Sequence, residues 1–214
     1  MEASAEGGRV NQKRRTREAI VTACAALIET GAAITMPDVA QAAQVSEATA
    51  YRYFPDLLSL LQAAYRDTWP DPSVVLEPVQ DSDDPTVRIA CATEVLMRGV
   101  LAREGATRAV IAASITRPNP ASSRPGYRFA LIDHALAPLN DANRPILDDA
   151  ALTQLKLSLA VIVSAEALFT LIDLCGLSRE QAITSAVQTA RSITSAAITP
   201  SPPHGQRDAA PAQP

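Results

Sequence analysis

A chain of 214 residues with 47% apolar but only 4% aromatic content and a net charge of -4 is long enough for one large or two small domains. Their cores must be built from Ala, Leu, Ile and Val, a mixture that favours closely packed helices. No run approaches the ~18 to 20 apolar residues that span a bilayer, and the first ten residues are polar and charged where a secretion signal is apolar, so a cytoplasmic protein with no membrane partner is expected. The three cysteines, Cys24, Cys91 and Cys175, are far apart among apolar neighbours and match no metal-ligand spacing, which predicts reduced core thiols, no metal and no other cofactor.

The net charge argues against nucleic acid, but its distribution argues the other way. From Arg9 to Arg66 seven basic residues face five acidic ones, so that segment carries +2 and the remainder -6. Two parts of opposite sign are suited to different partners.

In chain order, residues 1–12 lack periodicity and read as a disordered arm. The arm ends in a basic cluster, Lys13, Arg14, Arg15 and Arg17. Basic residues at a helix N-terminus oppose the macrodipole, so contact with phosphates accounts for them better than helix stability does. A first helix over Thr16–Thr30 carries Ile20, Cys24, Leu27 and Ile28 on one stripe, and Gly31 ends it. Thr35-Met-Pro-Asp38 opens a second helix with a capping box and Pro37 in the first turn, its buried face being Val39, Ala40 and Ala43. Ser46 caps a third, short helix that Pro55 stops after Phe54. Two helices this short cannot each bury a face alone. With the first they form a helix-turn-helix in a three-helix packing, and Ser46–Pro55 is then a recognition helix for DNA.

Asp56 caps a fourth helix, apolar on more than one face through Leu57, Leu58, Leu60, Leu61, Ala64 and Tyr65, which is read as the connection to a larger body. The prolines of Trp69–Pro85 predict a linker or loop. Helical patterns come next over Thr86–Glu104, Ala106–Ile115, Tyr127–Leu139, Ala151–Cys175 (the longest) and from Ser178 to about Thr199, and residues 200–214 read as a mobile tail. The last two helices carry Ala160, Ser164, Ala165, Ala186, Ala190 and Ala197, small residues suited to close packing against a second copy, so a homodimer is expected; a monomer core is the other reading. The fold class is therefore all-α. The domains are a helix-turn-helix over 13–55, a connecting helix over 56–68 and a helical bundle over 69–199.

The run T-R-E-A-I…A-L-I-E-T-G-A…I-T-M-P-D-V-A-Q-A-A-Q-V-S-E-A-T-A-Y-R-Y-F-P-D…L-L resembles the DNA-binding domain of the tetracycline-repressor (TetR) family of bacterial transcriptional regulators, over about a quarter of the chain. The resemblance implies a dimeric repressor on a palindromic double-stranded operator, with a C-terminal domain that binds a small-molecule effector. By position, Ser46, Glu47, Ala48, Thr49, Tyr51, Arg52 and Tyr53 would face the operator, Thr35 would meet a phosphate, and Arg14, Arg15 and Arg17 would add basic contacts. Thr49 and Arg52 can reach base edges, whereas the tyrosines suit phosphate or sugar. Two departures stand out. Gln44 occupies a turn position where the family has Gly, which predicts a left-handed non-glycine residue, and Leu57 occupies a position where the family has Lys.

Candidate effector residues mix polar tips with apolar bodies: Trp69, Met97, Arg98, Thr116, Tyr127, Phe129, His134, Glu166, Phe169 and Thr170. Glu166 lies within an apolar helix and either binds a ligand or pairs with Arg98, Arg128 or a residue across the dimer. No phosphate loop, metal spacing or nucleophile motif speaks for an enzyme. A helical interaction protein that has lost operator binding, and a regulator that needs a co-repressor, are the alternatives.

Overall fold

The computed structural model describes residues 2–65, 69–115, 126–140 and 146–199, and within them every regular element is helical. Helix α1 spans Glu2–Ile28. It takes in residues 2–12 of the stretch that was expected to stand apart as an arm; Ala and Glu carry helix propensity of their own and need no apolar stripe to do so. Ile20, Cys24 and Ile28 are fully buried and hold α1 against α2 (Met36–Ala42) and α4 (Leu57–Tyr65). Burial pushes the Cys24 thiol up to about 12.

The caps that organise this domain sit where the sequence puts them. Thr35 and Asp38 form the capping box of α2. The Ser46 hydroxyl accepts from the Thr49 N–H at 3.2 Å to start α3 (Glu47–Tyr53), and Asp56 accepts from the Ser59 N–H at 2.8 Å. Between α2 and α3, Gln44 takes φ 55°, the left-handed conformation expected of that position. Helix α4 is apolar on two sides because α1 covers one and α7 (Glu104–Ile115) the other. Ala106 and Val110 of α7 belong to the same core as Ile20, Phe54 and Leu61.

The second core is centred on α6 (Pro85–Ala102) and α11 (Arg179–Ile198). Ala182, Ala186 and Ala190 of α11 are fully buried and let it lie close on Ile89, Ala92, Leu96 and Met97. The small residues expected at a dimer face thus include some, Ala186 and Ala190, that pack inside the protomer. Helices α8 (Tyr127–Ala135) and α9 (Asp149–Ile162) cover the remaining sides.

Two sequence expectations change here. The stretch 69–85, read as linker, contains α5 (Pro72–Val75) and a 3-10 turn (Glu77–Val79), and Val75 and Leu76 are buried. Its prolines start helical turns, where their missing N–H costs nothing, instead of breaking them. The segment 151–175, read as one long helix, breaks at Val163–Ser164 into α9 and a short α10 (Ala165–Phe169), which runs on into a π turn, Thr170–Leu174. Cys175, expected in the core, is exposed at the end of that turn. Residues 66–68 of the expected connecting helix, and the expected tail over 200–214, lie outside the described residues. No single helix among the described residues is long and apolar enough to cross a membrane.

The two cores meet at a backbone contact. Gly31, at φ 71°, presents its carbonyl to the Gly105 N–H at 3.0 Å. A Cβ on Gly105 would lie 2.0 Å from the Ala32 carbonyl oxygen, so only glycine fits. Beside this contact Arg103 reaches Glu29 at 2.8 Å.

Arg88 is buried, and among the described residues no carboxylate pairs with it. Its guanidinium donates to the carbonyls of His134 and Ala135 at the end of α8 and to those of Val79 and Gln80 at the end of the 3-10 turn, all at 3.0–3.2 Å. The charge sits where two helical ends direct their negative poles. Arg88→Met is expected to lower unfolding free energy by about 2–4 kcal/mol, because buried carbonyls lose their donors; urea titration measures it. Gln44→Gly, which removes left-handed strain of about 1–2 kcal/mol at the cost of unfolded-state entropy of roughly 0.5–1 kcal/mol, should raise the urea midpoint slightly with the slope unchanged.

Candidate nucleic-acid interface and ligand cavity

Helix α3 buries Ala50, anchors its end with Phe54, and leaves Ser46, Glu47, Ala48, Tyr51 and Arg52 exposed, with Thr49 and Tyr53 half-buried. The buried residues fix which face the others present. Ser46 and Thr49 share a hydroxyl–hydroxyl hydrogen bond of 2.9 Å, and the Arg52 guanidinium lies 5.5 Å from the Tyr53 ring centre. A cleft between α1 and α3 brings Ser46, Thr49, Arg52 and Tyr53 together with Gln12, Lys13 and Thr16.

The basic cluster divides by helical phase. Arg15 is exposed, Arg14 faces Glu18 at 3.7 Å, and Arg17 lies over the Phe54 ring at 5.0 Å, tying α1 to the end of α3. Lys13, a member of the basic cluster read as phosphate contacts, lines the cleft, because the buried stripe through Ile28, Cys24 and Ile20, continued backward at helical spacing, lands on Thr16 and Lys13. Thr35 commits its hydroxyl to Asp38 within the capping box. Leu57 is half-buried against the N-terminal core, so it serves packing.

A second concavity opens between α4, α6, α7, α8 and α10. It is a largely apolar cavity of about 90 Å³, walled by Tyr65, Trp69, Leu96, Val100, Val110, Ile111 and Tyr127, with Thr107, Ser164, Arg128 and Glu166 as its polar groups. Trp69 and Tyr127 stack at 4.8 Å between ring centres and 33° between planes. Gly99 makes room for this: a Cβ there would come within 2.6 Å of the indole. On its other flank Trp69 lies under the Arg103 guanidinium, 5.3 Å from the ring centre. Burial raises the phenols of Tyr65 and Tyr127, the latter to about 12 with the Asp71 charge adding to the effect, so both are neutral hydroxyls at neutral pH. Arg128 donates through a single nitrogen, Nη2, to both Glu166 oxygens at 3.1 and 3.3 Å.

Of the candidate effector residues, Trp69, Tyr127 and Glu166 line this cavity. Met97 is enclosed in the second core, and Arg98 pairs on the surface with Glu94 and Glu180. Phe129 is exposed on α8, and Phe169 is buried with Arg108 3.9 Å above its ring. Thr170 is exposed and donates to the Glu166 carbonyl. His134 borders a separate shallow depression with Asp71 and Asp133. These six lie on other faces of their helices, and Thr116 is outside the described residues. Tyr65, Thr107 and Ser164 were not singled out, because only the packing of four separate helices brings them to one space. Among the described residues no group of three His, Cys, Asp or Glu side chains could hold a metal ion.

Residues 19–64 match the family model for bacterial regulatory proteins of the tetR family. No curated protein matches the chain. Among solved structures it is similar to a TetR transcriptional regulator from Rhodococcus sp. RHA1, at 20% identity and a TM-score of 0.53, the match covering 84% of this chain and 96% of that one. At that identity the likeness speaks for the fold, and it extends over the helical body as well as the N-terminal domain. The matched segment contains α2, the turn at Gln44 and the whole of α3, the elements that form the interface described above, and over these residues the chain carries the N-terminal domain of bacterial regulatory proteins of the tetR family.

Proposed function

We propose that the chain is a homodimeric repressor, not an enzyme, which leaves a palindromic operator when a small molecule enters the cavity beside α4. Residues 13–55 form the reading head, 56–68 the connection, and 69–199 the effector and dimerisation body. Thr49 and Arg52 read base edges, whereas Lys13, Arg14, Arg15, Ser46, Tyr51 and Tyr53 hold phosphate and sugar, with Glu47 and Ala48 at the groove floor, Arg17 bracing α3 through Phe54, and Thr35, whose donors both go to Asp38, serving as the cap of α2. The observation that carries the effector reading is that Tyr65, the last residue of α4, is a wall of the cavity. A ligand that contacts Tyr65 contacts the helix whose other residues pack on α1. Its differential affinity for two settings of α4 would shift the separation of paired reading heads away from the groove repeat of about 34–36 Å or a multiple of it. The cavity residues Trp69, Tyr127 and Glu166 are the proposed ligand contacts.

The proposed dimer face is the outer side of α9 with α11. Leu157 and Val161, one turn apart, are 57% and 73% exposed, an unusual placement for two large apolar side chains on a folded helix. Leu157→Glu is expected to shift sedimentation from dimer to monomer with helicity unchanged; an unaltered dimer would place the interface elsewhere.

On DNA, binding to a palindromic duplex from the adjoining promoter region should weaken steeply with salt, log affinity falling linearly with log salt. Arg52→Ala should cost about 1–3 kcal/mol of discrimination at one base position, whereas Arg15→Ala should weaken all duplexes alike and reduce the salt slope by about 1. Fluorescence anisotropy with matched and scrambled duplexes tests both, and no binding to any promoter duplex at low salt would rule out the operator-binding reading.

A further inference from the structure

Resting on the reading of the cavity as an effector site, we propose that its ligand is a small, uncharged aromatic molecule of one ring that presents a hydrogen-bond acceptor, such as a carbonyl oxygen, to Arg128. Three features set this chemistry. Size comes first. An engineered dry cavity of about 150 Å³ takes up benzene, and the space here is about 90 Å³ and not fully enclosed, so it holds at most a single ring that reaches partly out of it.

Hydrogen-bond polarity comes second. Thr107 donates to the Arg103 carbonyl at 3.0 Å, which leaves Tyr65 as the donor in the 3.0 Å bond between the two hydroxyls. Ser164 donates to the Val161 carbonyl at 2.7 Å, and Tyr127 to the Pro70 carbonyl at 2.7 Å. The hydroxyl protons of the wall are thus committed within the protein. Among the described residues, the donors of the lining still uncommitted are the Trp69 indole N–H and part of the Arg128 guanidinium, whose Nη2 alone serves Glu166 while Nη1 makes a 3.3 Å contact with the Ala160 carbonyl. A ligand acceptor meets donors here. A ligand that is only a donor competes for oxygens already in use.

Charge comes third. Arg128 and Glu166 are respectively 20% and 31% exposed at the side chain, so parting them gives up the attraction of a partly buried pair. A carboxylate ligand competes with Glu166 for the guanidinium, and an ammonium ligand is set beside Arg128. A neutral acceptor takes the spare donors and leaves the pair closed. The stacked Trp69 and Tyr127 rings and the aliphatic wall complete a site for a flat apolar body.

The experiment uses the protein's single tryptophan, which is Trp69 itself, as reporter. Acetophenone, ethylbenzene, benzoate and benzylamine are titrated into the full chain and followed by Trp fluorescence and thermal shift. Acetophenone should bind saturably and about tenfold or more tighter than ethylbenzene, the ratio expected for one hydrogen bond to a charged donor, and tighter than either charged probe. In the double variant Arg128→Met/Glu166→Leu, which removes both charges of the pair, acetophenone and ethylbenzene should bind alike. Should that variant not fold, Arg128→Lys, which keeps the charge but loses the planar donor set, should narrow the same ratio. Equal binding of acetophenone and ethylbenzene to the unaltered protein, or tighter binding of benzoate or benzylamine, overturns the ligand class and leaves the cavity as a binding site. If none of the four perturbs Trp69 or the melting temperature, the effector-site reading itself fails and the proposal with it.

Discussion

The contact between Gly31 and Gly105 is the constraint on which the architecture rests. It is a single backbone hydrogen bond between the turn that closes α1 and the first turn of α7, and the two approach so closely that no side chain fits between them. Because it is made by backbone atoms, it fixes position without depending on rotamers. Arg103 then turns a point of contact into a junction. Its guanidinium bridges Glu29, at the end of α1, and the face of Trp69, in the wall of the cavity. The DNA-binding domain and the ligand-sized space therefore share one fixed point, with α4 running beside it.

That arrangement gives α7 two roles. Through Ala106 it completes the N-terminal core, through Thr107 and Ile111 it lines the cavity, and Val110 belongs to both. A helix that serves both sides in alternate positions cannot shift for one without disturbing the other. On its remaining face Arg108 joins Glu104 and Asp173, and Glu104 also holds Arg179. These pairs are partly exposed and individually weak, but they tether α7 to the π turn and to the start of α11. Movement of α7 is thereby coupled to the helices proposed to face a second copy.

What could be read in the sequence was what local chemistry decides. The capping box at Thr35, the caps at Ser46 and Asp56, the stop at Gly31 and the left-handed residue at Gln44 each depend on a few adjacent residues, and the structure has all of them. The residues that line the cavity were legible only in part. Glu166 drew attention as a charge in an apolar run, and Arg128 was among its possible partners, but Thr107 and Ser164 look like ordinary helix residues until four helices converge on them. Prolines misled in the stretch after Trp69, since a helix-starting proline and a helix-breaking one differ only in the conformation of the residues on their C-terminal side. The break at Val163–Ser164 had no proline or glycine to announce it.

That break also bears on how a ligand specificity could change. In a continuous helix the Ala160 carbonyl would receive the N–H of Ser164. Here the Ser164 N–H turns to Ile162 and the Ala160 carbonyl is left for Arg128. The guanidinium that faces the cavity is thus steadied by an interruption in the main chain. An insertion or straightening at this one point would swing Arg128 away and recast the chemistry of the site while every lining side chain kept its identity, so two chains with the same wall residues need not recognise the same molecule.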